Sequence, residues 1–168
     1  MKRITVLIIT ILLILSISPL TSATEWNVPD DAYAIWYMPN QHLQQPVYEA
    51  ETWRDWQPIV DAPQSALIST WLNARVITDH CNSKGVDGGR WHMKDIRLGD
   101  TAYLITHDGT FKYQCYLTAI VDVGTWGYTI NNKILEPASS TDIACRCCVG
   151  MDAERNYFAV FRYVKEIK

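Results

Sequence analysis

Thr101–Val123 reads Thr-Ala-Tyr-Leu-Ile-Thr-His-Asp-Gly-Thr-Phe-Lys-Tyr-Gln-Cys-Tyr-Leu-Thr-Ala-Ile-Val-Asp-Val. Two runs rich in β-branched and aromatic residues flank an Asp-Gly pair, the strongest short-range signal for a β-hairpin. The reading is a strand at Thr101–Thr106, a turn at His107–Thr110 and a long alternating return strand at Lys112–Val123. Leu98-Gly99-Asp100 forms a turn feeding the first strand.

Outward from this hairpin, turn signals recur at regular intervals. Upstream, Ala32–Met38 reads as a strand broken by Pro39-Asn40, and Gln45–Glu49 as a short extended segment. Ala74–Thr78 is a short buried strand ending at Asp79-His80-Cys81-Asn82, and Ser83–Gly89 is a Gly- and Asp-rich loop. Downstream, Gly124–Tyr128 closes the long strand and Asn131-Asn132 is a turn. Ile134-Leu135 is briefly extended, and Asp142–Cys145 and Tyr157–Val164 are the last strands. Trp53–Leu72 is the most helix-like part: Pro63 suits a first turn, with Ala66, Leu67, Thr70 and Trp71 following at helical spacing. Trp91–Ile96 reads as one helical turn. This order predicts a mainly β domain, an antiparallel barrel or sandwich with a few short helices.

At 168 residues the chain is long enough for one domain with a genuine core. Lys2 and Arg3 precede the almost wholly apolar Ile4–Leu20, and Ser18–Ala23 supplies a helix breaker and small residues. The simplest reading is a signal peptide at 1–23 followed by one domain at 24–168; an uncleaved membrane anchor is the alternative. Either way, the domain works outside the cytoplasm. Without Lys2 and Arg3, 13 basic side chains face 18 acidic ones and no basic cluster remains, which argues against nucleic acid and anionic membrane surfaces as partners. Seven Trp and nine Tyr fit a β domain or a surface that grips extended ligands.

Five cysteines is an odd number, so in an oxidising compartment at least one thiol stays unpaired or joins another molecule. Three of them, Cys145, Cys147 and Cys148, crowd into four positions, with Arg155 ten residues past the first. A thiol near a guanidinium is the makings of a nucleophile beside a group that holds developing negative charge. His80 is the best-placed histidine to partner it; His42, His92 and His107 read as surface residues. Each also has a plainer account: Cys145 as a buried or disulfide-bonded cysteine, His80 as a polar strand end, Arg155 as half of a salt bridge. If the cysteine strand continues past Cys145, Cys147 shares its face and Cys148 points away.

Taken together, these motifs resemble a sortase, the cysteine transpeptidase of Gram-positive cell surfaces. Ile77-Thr78-Asp79-His80 resembles the family's strand ending in Gly-His. Leu98-Gly99-Asp100-Thr101-Ala102-Tyr103 resembles its Leu-x-x-Gly-Asp element, with a return strand through Tyr113-Gln114-Cys115. Thr141-Asp142-Ile143-Ala144-Cys145 resembles its Thr-Leu-x-Thr-Cys motif, and Arg155 before Phe158-Ala159-Val160-Phe161 resembles its arginine followed by an apolar strand. The resemblance spans Tyr33 to Val164. Asp142, Ala144 and Asp79 depart from the family pattern.

The resemblance implies a closed β-barrel of about eight strands and a catalytic set of His80, Cys145 and Arg155, with Cys147 and Cys148 competing for the nucleophile's place. It implies a sorting-signal peptide as substrate, a cell-wall peptide or pilin lysine as amine acceptor, and no cofactor. A disulfide from Cys81 to Cys147 or Cys148 would tie the site together. Two other readings stand beside it. One is a sortase fold turned into a peptide-binding module. The other is a metal site built from Cys145, Cys147 and Cys148 with His80 or Cys81, although Cys-x-Cys-Cys is not the usual chelating spacing.

Overall fold

The computed structural model describes residues 26–51, 66–72, 74–80, 93–124, 127–149 and 152–168. The stretches read as a signal or anchor, as the Ser83–Gly89 loop and as the first part of the Trp53–Leu72 helix lie outside these residues.

The described residues form ten strands and two single 3-10 turns, at Pro39–Gln41 and Met93–Asp95. The strands are β1 (Ala34–Met38), β2 (Leu43–Glu49), β3 (Ala66–Trp71), β4 (Ala74–Thr78), β5 (Thr101–Ile105), β6 (Thr110–Gly124), β7 (Gly127–Ile130), β8 (Lys133–Ile134), β9 (Ile143–Val149) and β10 (Asp152–Ile167). They pair in the order β10-β9-β4-β3-β2-β1-β5-β6-β7-β8, and β10 also pairs with β6. That last pairing joins the two flanks, so eight strands form a ring of ladders while β7 and β8 extend outward from the end of β6. Two of the pairings, β2–β3 and β4–β9, are parallel.

The hairpin lies where its sequence puts it. Thr106 N–H donates to the Gly109 carbonyl at 2.9 Å, and the Thr106 hydroxyl accepts from the N–H groups of Asp108 and Gly109 at 3.2 Å each. The turn before β5 needs Gly99, whose φ of +90° lies in the region that favours glycine. Asp100 locks that turn, its carboxylate accepting from Arg97 N–H at 2.9 Å and from Asn40 Nδ2 at 2.8 Å.

One expectation is corrected. Ala66, Leu67, Thr70 and Trp71 are not helical; they lie in β3, between β2 on one side and β4 on the other. The helical spacing of four residues was too short a signal to outweigh Ile68 and Thr70, which suit a strand hydrogen-bonded along both edges. The last strands are also longer than the sequence indicated. β9 runs to Val149 and so carries all three clustered cysteines.

Alternation splits the core into two layers. Trp36, Met38, Leu43, Ile77, Cys145, Cys147 and Phe161 pack on one face of the strands, while Trp71, Val76, Val121, Ala144, Phe158 and Val160 pack on the other. Phe161 is fully buried and meets Trp36 edge-on at a centroid distance of 5.3 Å. Phe161→Ala is expected to lower stability by about 3–5 kcal/mol, measured by urea unfolding; a loss below about 1 kcal/mol would place this contact outside the core.

Candidate functional site

The parallel pairing of β4 with β9 sets the site. Its register is Arg75↔Ile143, Val76↔Ala144, Ile77↔Cys145 and Thr78↔Arg146, and Asp79 N–H donates to the Arg146 carbonyl at 3.3 Å. Continued two residues further, the same register brings His80 level with Cys148. β4 ends at Thr78 with His80 two residues beyond it, on the side towards which β9 runs on through Cys148 to Val149. Across the antiparallel ladder on the other side, Cys148 is level with Asn156, the residue after Arg155.

The cysteines have separate environments. Cys145 is fully buried opposite Ile77 and Ala159, within the layer that holds Trp36 and Phe161. Burial, with a smaller contribution from nearby Cys115, pushes its thiol well above the ordinary range. Burial likewise raises the Cys115 thiol to about 11, and Asp100 adds to the rise. Cys147 is disulfide-bonded, while Cys148 is half-buried and outside any disulfide. The Cys81 end of the expected crosslink lies outside the described residues. Of the three clustered cysteines, Cys148 alone is both reduced and partly open to solvent.

His80 is exposed at the end of β4, and its main chain is held by Asp79. The Asp79 carboxylate accepts from His80 N–H at 2.6 Å through Oδ1 and from Gln45 Nε2 at 2.9 Å through Oδ2. Asp79 and Gln45 are both buried, so the aspartate at the family's glycine position anchors the histidine's backbone.

Arg146 escaped the sequence reading. It lies two residues before Cys148 on the same strand face. Its Nε donates to Thr78 Oγ1 at 2.8 Å, and its guanidinium carbon sits 5.6 Å from the centre of the Tyr128 ring. Tyr128 in turn packs on Phe158 at 4.6 Å, and Trp71 meets Phe158 edge-on at 5.1 Å, giving this face a fixed aromatic floor. Arg155 is exposed on β10 beside Asn156, where the β9–β10 register shifts between Asp152 and Asn156. His80 and Cys148 thus lie towards the same end of the β4–β9 ladder, and Arg146 alternates onto the Cys148 face of β9. Cys145 is set apart in the core.

Asp142, at the family's leucine position, is also structural. Its Oδ2 accepts from the Tyr116 hydroxyl at 2.8 Å and from the N–H groups of Ala138 and Ser139 at 3.1 Å each. Among the described residues no three His, Cys, Asp or Glu side chains converge on a metal position, and Cys147 spends its thiol on a disulfide.

No family model and no curated protein matches the chain. Solved structures do. Sortase C-3 from Streptococcus pneumoniae matches with a TM-score of 0.62 and 18% identity, over 88% of this chain and 70% of that one. Sortase A from Listeria monocytogenes matches at 0.57 and 12%, over 83% and 92%. Sortase E1 from Streptomyces coelicolor, solved with a tripeptide in its active site, matches at 0.60 and 12%, over 84% and 93%. The chain has the sortase fold.

The buried thiols make a pH prediction. The folded pKa of Cys115 is about 11 against an ordinary 9.0, and that of Cys145 is also raised. Their contribution to stability is complete below pH 9 and is lost as pH rises towards the folded values, because the unfolded chain gives up its thiol protons first. Urea midpoints measured between pH 8 and 9.5, below the ordinary tyrosine value of 10.0, are expected to fall with pH. The fall should be shallower in a Cys115→Ala/Cys145→Ala variant; equal slopes would contradict burial of these thiols.

Proposed function

We propose that the protein is a sortase-like cysteine transpeptidase whose nucleophile is Cys148. The observation that supports this reading is the β4–β9 register, which, carried two residues past Thr78↔Arg146, would set His80 level with a thiol that is outside any disulfide and partly open. Cys145, the first choice from sequence, is fully buried, which favours Cys148 over it in this reading.

The chemistry follows from these positions. The Cys148 thiolate attacks the carbonyl carbon of a peptide bond, forming a C–S bond and a tetrahedral oxyanion. His80 gives a proton to the departing amine as the C–N bond breaks, leaving a thioacyl enzyme. It then takes a proton from the incoming amine, which displaces the thiolate and completes the transfer. Arg146, held by Thr78 and hydrogen-bonded to Tyr128, offers the oxyanion or the substrate carbonyls a fixed positive charge, and Arg155 serves the substrate from β10.

A groove of about 330 Å³ borders β10; Met93, Ile96, Leu98, Ile120, Tyr157 and Phe158 line it together with Lys94, Arg97 and Thr118, giving an extended chain both apolar and basic footing. The substrate is a sorting-signal peptide of a surface protein and the acceptor an amine of a cell-wall peptide or pilin. The domain works on the outer side of the membrane, with 1–23 as its signal or anchor.

The test is mapping of the adduct formed with a library of peptidyl vinyl sulfones on the folded protein. The proposal predicts that Cys148 carries the adduct, that Cys148→Ala abolishes it and that Cys145→Ala leaves it largely intact. An adduct on Cys145 would move the nucleophile. Peptide binding with no adduct on any cysteine would favour a binding module over an enzyme.

A further inference from the structure

A second cavity, of about 340 Å³, lies at the opposite end of β4 and β9. Arg75 in its wall is five residues before His80, about 16 Å along an extended strand. The two positions also use opposite faces: Arg75 alternates with Ile77 in one layer of the core, whereas His80 follows Val76 and Thr78. This cavity therefore owes nothing to the His80–Cys148 site.

Its walls are mostly aromatic and aliphatic: Tyr33, Leu104, Phe111, Tyr113, Ile143 and Tyr163. Tyr113 and Tyr163 meet edge-on at a centroid distance of 5.8 Å. Thr106, Ser140 and Thr141 supply hydroxyls. Two charged residues line it, and they differ in availability. Asp142 is fully buried: its Oδ2 accepts three hydrogen bonds, and its Oδ1, closed off from solvent, has no hydrogen-bond partner among the described residues. Arg75 is exposed; its guanidinium rests 4.8 Å from the centre of the Tyr33 ring and makes no ion pair or side-chain hydrogen bond among the described residues. The accessible charge is thus positive, a planar fork against an apolar wall.

We infer that this cavity binds a small carboxylate carrying an aromatic or branched apolar group, the chemistry of a peptide's C-terminal residue or of a free aryl acid. The guanidinium would take the carboxylate through paired N–H donors, and the tyrosine and phenylalanine rings would enclose the apolar group. The volume suits one large side chain with its carboxylate, at the small end of ligand pockets.

Calorimetric titration of the folded protein with N-acetyl-glycyl-phenylalanine, its C-terminal amide and 3-phenylpropionate tests this. Both acids should bind, the amide should bind at least tenfold more weakly than its acid, and Arg75→Gln should bring the peptide acid down to the level of the amide. Tyr163→Ala, at a partly exposed wall position, should weaken both acids several-fold with unchanged thermal stability. Tighter binding of the peptide acid than of 3-phenylpropionate identifies a C-terminus as the source; equal binding identifies a free acid. Absence of binding at millimolar concentration, equal affinity for acid and amide, or acid binding unchanged in both variants would overturn the inference.

Discussion

The parallel ladder between β4 and β9 is the constraint on which the site depends. It sets Thr78 beside Arg146, residues almost seventy positions apart in sequence. A shift of one residue would turn every β9 side chain to the other face, exchanging Cys145 for Arg146 in the core. Burying an arginine there without partners would be far costlier than burying a thiol, so the cysteine parity helps to hold the register that presents Cys148. The Thr78–Arg146 hydrogen bond acts in the same direction on the opposite face.

The departures from the sortase motifs have structural accounts. Asp79, where the family has glycine, joins the His80 backbone to buried Gln45. Asp142, where the family has leucine, gathers Tyr116 and the backbone of Ala138 and Ser139 at the start of β9. Both are buried polar groups with hydrogen-bond partners, a cost that a chain sustains when it fixes a conformation.

Much of the fold was legible because its signals are local. The Asp-Gly turn, the alternating return strand and the β-branched run Ala74–Thr78 each carry their own pattern. β3 was misread because Ala66, Leu67, Thr70 and Trp71 fit helical spacing, and only the strands on either side decide the matter. The site was half legible. A histidine at a strand end is local information, whereas the choice among Cys145, Cys147 and Cys148 turns on how far β9 extends and which face β4 gives it. Arg146 was missed for the same reason, since its partners Thr78 and Tyr128 come from distant parts of the chain.

The central claim is that His80 and Cys148 act as a pair. The most direct measurement is the rate of iodoacetamide alkylation at each cysteine, followed by mass spectrometry from pH 5 to 9, in the native protein and in His80→Ala. The account predicts that Cys148 reacts first and that His80→Ala changes the pH profile of its labelling while leaving those of Cys115 and Cys145 as they were. Faster labelling of Cys145, or a Cys148 profile unchanged by loss of the histidine, would contradict it.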